Sequence, residues 1–150
     1  MKNLSLILVL ASALISCQST SIDKKEDEIK FKEVVVLNDV PRSTLTFFEI
    51  TDSRCPQGVN CVWAGNATVD LALDGVGTEG KISKHVNLCL GDCRGGNSQS
   101  SFRVIDSLDQ SFAGQQYRFI LKSVSTFAKT DTTKKKQDYS ISLQIKKIKQ

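Results

Sequence analysis

The sequence predicts an all-β domain: an antiparallel β-sandwich, immunoglobulin-like, or a partly closed barrel of about seven strands. Three observations carry that expectation. In several segments after Cys17 apolar residues recur at every second position, the spacing that sets one strand face on a core and the other in water. No long apolar stripe at helical spacing appears there, so there are no helices to cover the faces of a parallel sheet. Asparagine, aspartate, glycine and proline punctuate the alternating segments, as turn chemistry requires.

The strands follow in chain order. Residues 29–37 (IKFKEVVVL) and 45–51 (LTFFEIT) are rich in β-branched and aromatic side chains, with Asn38, Asp39 and Pro41 breaking the chain between them. Ala67, Val69, Leu71 and Leu73 alternate with Thr68, Asp70, Ala72 and Asp74, and residues 74–77 (DGVG) begin a turn. Ile82, Val86, Leu88 and Leu90 share the apolar face of the next strand, opposite Ser83, His85, Asn87 and Cys89. Lys84 interrupts the apolar row, which places the start of this strand near a sheet edge. Residues 91–101 (GDCRGGNSQSS) read as a polar loop and 102–105 as a short strand. Residues 106–114 (DSLDQSFAG) fit a helical turn and a loop equally well. A long strand opens at Tyr117 and runs to about Phe127, residues 130–138 loop out, and Tyr139, Ile141, Leu143 and Ile145 give the cleanest alternation in the chain. These make seven strands. The immunoglobulin template is the nearest, although its usual cysteine and tryptophan arrangement is absent.

The first residues carry an address. Lys2 supplies a positive start, residues 4–15 (LSLILVLASALI) an apolar run, and Ser16 the small side chain that cleavage needs. A membrane span requires about 20 apolar residues, and this run passes into polar Gln18, Ser19 and Thr20 well before that length. Leu14-Ile15-Ser16-Cys17 resembles the lipobox of bacterial lipoprotein precursors. That resemblance implies a diacylglycerol thioether on Cys17 and a mature chain that starts there. Two or three acyl chains would then hold the domain to the membrane, since each buried methylene contributes about 0.8 kcal/mol. The expected organisation is a signal peptide over 1–16, the lipidated cysteine and a flexible tether over 17–28, and a β domain over 29–150. Gln18 stands where inner-membrane retention would show aspartate, so the resemblance favours the outer membrane. Lys24-Lys25-Glu26-Asp27-Glu28 looks like the acidic tether of surface-exported lipoproteins, and equally like a solvated charged spacer.

Charge and cysteine count narrow the function classes. The net charge of +4, or +3 without Lys2, is too mild to argue for nucleic acid. Lysines cluster late, at Lys134 to Lys136 and at Lys146, Lys147 and Lys149. They suit anionic head groups or simple solubility. Five cysteines become four once Cys17 carries lipid, which in an oxidising compartment reads as two disulfides with three connectivities. Chain entropy favours a long bridge such as Cys55 to Cys89, at about 4 kcal/mol against about 2 for a short loop. Turn chemistry favours local pairing, Cys55 with Cys61 across Pro56 and Gly58, and Cys89 with Cys93 across Gly91 and Asp92. A zinc site is disfavoured because the first pair encloses five residues, outside the usual knuckle spacing.

Asp52-Ser53-Arg54-Cys55-Pro56, followed by Cys61-Val62-Trp63-Ala64-Gly65, resembles a motif shared by small uncharacterised bacterial lipoproteins: D-S-R-C-P, a short loop, C-x-W-A-G and a strand. The match is close over residues 52–67 and looser in the last two strands, and Cys89 with Cys93 is an addition to it. The resemblance implies a β-rich extracytoplasmic domain and brings no reaction with it. From the residues themselves, a Cys55–Cys61 bridge would clamp a corner over which the Trp63 ring can pack, with Arg54 and Asp52 paired across its base. A second reading makes it a presented loop that offers Arg54, Gln57, Val59, Asn60 and Trp63 to a partner.

Enzymatic signals are weak. The single histidine, His85, has no serine or cysteine nucleophile beside it in a recognisable elbow. No phosphate loop, zinc helix or calcium loop is present, and no cofactor or metal is expected. Asp70 and Asp74 share a strand face through alternation alone. The expected function is therefore a lipid-anchored, non-catalytic binding or structural module of the bacterial envelope, acting on another envelope protein or a small ligand. The alternative is an inhibitor-like or adhesin-like module that presents the Cys55–Cys61 loop.

Overall fold

Strict alternation over long segments builds the centre of the molecule. The computed structural model describes residues 24–56, 58–94, 100–126 and 135–148. Nine strands run through the described residues: β1 (Lys24–Lys30), β2 (Val34–Asn38), β3 (Ser43–Asp52), β4 (Asn66–Gly77), β5 (Gly80–Arg94), β6 (Ser100–Arg103), β7 (Asp106–Phe112), β8 (Gln115–Thr126) and β9 (Tyr139–Ile148). They form a five-stranded sheet, β2-β3-β4-β5-β6, and a four-stranded sheet, β1-β9-β8-β7. Every pairing is antiparallel.

The all-β expectation holds, and the connectivity sharpens it. Each strand pairs with its neighbour in sequence, except that β1 pairs with β9 and no ladder joins β1 to β2 or β6 to β7. This is an up-and-down barrel opened along two seams, with one sheet curled into a half-barrel. Meanders replace the Greek-key connections of an immunoglobulin sandwich.

The core lies between the sheets. Leu45, Phe47, Val69, Leu71, Leu73 and Leu88 of one sheet face Tyr117, Phe119, Leu121, Ile141 and Leu143 of the other, all essentially inaccessible to water. At about 25 cal/mol per Å² of apolar surface, burial of this set is the main favourable contribution to folding. The expected burial rows on 67–73, 82–90 and 139–145 match the observed inner faces.

Four boundaries depart from the sequence reading. Residues 29–37 are two strands in different sheets. Lys32 takes φ 64°, the Phe31 N–H donates to Tyr139 O in one sheet, and the Lys32 N–H donates to Phe47 O in the other. Buried or half-buried Ile29, Phe31, Val35 and Leu37 keep odd-number alternation across the turn, which disguises the break. The first strand also begins at Lys24, inside the expected tether over 17–28. Its KKEDEIK sequence suits an edge strand, where charge discourages further pairing. The polar loop expected over 91–101 is shortened, because β5 runs on to Arg94 and pairs with β6 through Gly91↔Arg103 and Cys93↔Ser101. Residues 106–112 form neither a helical turn nor a loop but β7, an edge strand whose Leu108, Gln110 and Phe112 turn inward.

Lys84 fits its position. Residues 80–90 of β5 have a ladder to β4 on one side, and β6 joins the other side only from Gly91 onward. No helix among the described residues is long and apolar enough to cross a membrane. The expected signal peptide over 1–16 and the expected lipidation residue Cys17 lie outside the described residues.

Candidate functional site

The corner between β3 and β4 is built as an extension of their hairpin. Beyond the strand ends, the Ser53 N–H donates to Asn66 O at 2.8 Å and the Cys55 N–H to Ala64 O at 2.9 Å. Asn66 then reaches sideways, its Nδ2 donating to Asp92 O at 3.1 Å. Two glycines make this geometry feasible. Gly65 has φ 68°, and a Cβ there would lie 1.9 Å from Ser53 O; Gly91 has φ 96°, and its Cβ would lie 2.6 Å from Gly65 O. Any side chain at either position would drive the corner apart from β3 or β5.

The disulfides take the local pairing. Cys55 joins Cys61 with Cα atoms 5.9 Å apart, closing the tip of the corner. Cys89 joins Cys93 at 6.1 Å, although four residues of straight strand would span about 13 Å. The left-handed conformation at Gly91 bends β5 and brings the two cysteines together. Both bridges therefore lie at one end of the sandwich, beside each other through the Gly65 and Asp92 contact.

Asp52 and Arg54 lock the base. The guanidinium grips the carboxylate with both arms, Nε to Oδ1 and Nη2 to Oδ2, each at 2.8 Å, while the Arg54 N–H donates to Oδ1 at 3.1 Å. The remaining arm donates to Val124 O in the opposite sheet at 3.1 Å, and the Tyr139 hydroxyl donates to Asp52 Oδ2 at 3.1 Å. The Asp52 side chain is only 6% exposed. Burial pushes its carboxyl upward, but the Arg54 fork, the Arg54 N–H and the Tyr139 hydroxyl outweigh that and hold it below the ordinary carboxylate range. Asp52 in turn raises the Arg54 guanidinium above its usual value, against the opposing effect of its own burial. The clamp ties the two sheets together at this end.

This arrangement divides the candidate residues. Arg54 is committed to the base and is not displayed on the loop. Val59, Asn60 and Trp63 are exposed on the tip, and Gln57 lies outside the described residues. Trp63 is not a buried ring: it is 56% exposed, and neighbouring Val62 is fully exposed. The turn closed by the Val59 N–H on Pro56 O, together with the disulfide, holds residues 59–63 at the exposed tip of the corner. Val62, which the sequence motif contains but does not single out, is the most exposed large apolar residue of the corner.

A second cluster sits on the outer face of the five-stranded sheet. His85 Nδ1 lies 2.9 and 3.0 Å from the Asp70 carboxylate oxygens, and its ring meets Phe48 edge-on with centroids 4.9 Å apart. Lys32 Nζ stands over Phe48 and donates to the Phe48 carbonyl. His85 pairs across the ladder with Ala72, so Asp70 is its diagonal neighbour, a contact that needs the register to be seen. Among the described residues no hydroxyl or thiol bonds to His85, and no group of three or more His, Cys, Asp or Glu is placed to hold a metal ion.

Comparison with known proteins returns no matching family model, no similar curated protein and no similar solved structure.

Proposed function

We propose that this chain is a lipid-anchored, non-catalytic module of the bacterial cell envelope that presents its Cys55–Cys61 loop to a partner protein. The observation that carries the reading is the exposure of Val59, Val62 and Trp63 at the tip of a corner that a disulfide closes and that an ion pair and a ladder extension fix at its base. Side chains exposed to this extent add little to the fold through burial. They lose little conformational entropy when a partner covers them, which is the economy of a preorganised contact surface. Aromatic anchors such as tryptophan dominate such contacts.

The address rests on the lipobox resemblance, and disulfides agree with an oxidising extracytoplasmic compartment. Geometry then relates the anchor to the loop. Lys24 pairs with Ile145, whereas Asp52 and Arg54 meet Tyr139 and Val124 at the other end of the strands. Seven residue steps from Cys17 to Lys24 reach at most about 25 Å, and the twelve residues of β4 span about 40 Å. An anchor at Cys17 would hold the β1 end near the bilayer and turn the clamped loop away from it. The inhibitor-like alternative loses its basic residue, because the Arg54 guanidinium is engaged at the base.

Two measurements test the two parts. Metabolic labelling with a fatty-acid analogue should mark the wild type and not Cys17→Ser; label kept in the mutant rejects the anchor. A photo-crosslinking amino acid at position 62, compared in cells with the same group at exposed Val76 of the opposite end, should give a discrete adduct that Trp63→Ala removes. Equal adducts at both positions, or none at 62, reject the loop.

A further inference from the structure

The start of β1, the β4–β5 and β7–β8 hairpin turns and the end of β9 lie together at one end of the molecule. In one sheet Lys24 pairs with Ile145, Gln116 with Ile148 and Phe112 with Gln115; in the other Val76 pairs with Lys81. Gly75 lies against the Phe112 ring, and Lys147 Nζ donates to Asn38 Oδ1 at 2.7 Å, so the two sheets meet here. Four exposed cations gather at this end: Arg42 in the turn after β2, Lys81 beside the β4–β5 turn, and Lys146 and Lys147 near the end of β9. Among the described residues no carboxylate forms an ion pair with any of them. Arg54, Arg103 and Arg118, by contrast, each hold one.

Two exposed carboxylates, Asp39 and Glu79, stand in the same turns, which leaves a surplus of two positive charges. Further from the tip, exposed Asp74 and Lys84 offset each other. Val40 projects from the turn after β2, 87% exposed, and Val76 beside Lys81 is 47% exposed. The tether enters at this same end: seven residue steps from Cys17 to Lys24 reach at most about 25 Å. The late lysines thus divide, since Lys136 holds Glu49 and adjoins Tyr139 at the clamped end. An anionic bilayer favours each nearby Lys or Arg about fivefold, within a Debye length of about 8 Å. A surplus of two favours contact about thirtyfold. That is too little to hold a free domain, and enough to orient one that an anchor keeps within reach.

We propose that this end docks on the anionic phospholipid surface of the membrane that holds the anchor, with Arg42, Lys81, Lys146 and Lys147 at the phosphates and Val40 among the head groups. The docking rests on the lipid anchor proposed above and adds to it a fixed orientation, which points the clamped loop away from the bilayer. It stands whether or not the loop has a partner.

The test uses the full chain, expressed in a lipoprotein-processing bacterium and reconstituted in nanodiscs of phosphatidylcholine with or without phosphatidylglycerol. A fluorophore at exposed Thr78 of the β4–β5 turn, or at Val62 of the clamped end, reads proximity through quenching by nitroxide-labelled head groups. Quenching at 78 should be strong with phosphatidylglycerol, weaken without it and weaken as salt is raised, while 62 stays unquenched throughout. Arg42→Glu, Lys81→Glu and Lys146→Glu together turn the surplus of two into a deficit of four. The ratio of docked to undocked protein should then fall from about thirty to below one. All three side chains are exposed, so the denaturant midpoint should not move, and the salt titration of the unmutated chain reads the same contact without any substitution. Quenching at 78 that ignores lipid charge, that survives the triple reversal, or that is exceeded at 62 overturns the docking while the anchor stands. The mass of the Cys17 peptide reads the anchor separately, and its lack of diacylglycerol rejects both.

Discussion

Gly65 and Asp52 show how single residues set the corner. Gly65→Ala forces a Cβ onto Ser53 O in a left-handed conformation, so it should destabilise the domain by more than about 3 kcal/mol in denaturant unfolding. Gly58 is also left-handed, at φ 81°, but has open space around it, and Gly58→Ala should cost only about 1 kcal/mol. Asp52 gives a pH signature. Its folded carboxyl titrates below its unfolded value near 3.9, so its contribution is complete above that value and is lost as the pH falls through the depressed folded one. The stability difference between wild type and Asp52→Asn should therefore be constant from about pH 7 to about pH 5 and shrink as the pH falls below about 4. A difference that grows on acidification would show that the clamp does not favour the carboxylate. The Asp52 and Arg54 pairing was legible from their spacing alone. The exposure of Trp63 was not, because nothing in the sequence says how much core lies beneath a corner.

At the scale of elements, alternation exposed the strands that are half buried and hid those at edges. β4, β8 and β9 carry clean apolar rows because both of their neighbours fix which face is inward. β7 was missed because its DSLDQSF sequence has only Leu108 and Phe112 to mark the inner face, with Gln110 between them. The β1–β2 break was invisible because alternation keeps the same parity across the turn at Phe31 to Glu33. Local disulfide pairing was foreseeable from Pro56, Gly58 and Gly91, yet the kink in β5 needed the φ of Gly91. Replacing Cys55 and Cys61 together by serine should lower stability by about 2 kcal/mol, the loop-entropy value for so short a bridge. Hydrogen exchange should quicken at 58–63 and stay slow in β4 and the first part of β5, whose ladder does not depend on that bridge. Faster exchange throughout β4 would mean that the bridge supports the sheet as well as the tip.

The whole molecule is a meander barrel opened at two seams, and its two ends differ in chemistry. One end carries both disulfides, the Asp52–Arg54 clamp and the exposed loop; the other carries the β1 start, the hairpin turns and the exposed cations. The sequence made the two-sheet class legible through alternation. The order of strands was not, since pairing of β1 with β9 joins segments more than a hundred residues apart. At the clamped end the side-chain bonds that join the two sheets lie at the base of the corner, and the tip is exposed. Equilibrium denaturant unfolding of Arg54→Ala beside Trp63→Ala measures this division. Removing Arg54 strands the buried Asp52 carboxylate and should cost about 2 to 3 kcal/mol, less than for a fully buried pair because Arg54 is partly exposed. Removing the exposed Trp63 ring should cost less than about 1 kcal/mol. A loss of about 3 kcal/mol or more for Trp63→Ala, with Arg54→Ala near neutral, would contradict it, placing the stability in the tip and leaving Arg54 free to be the contact residue.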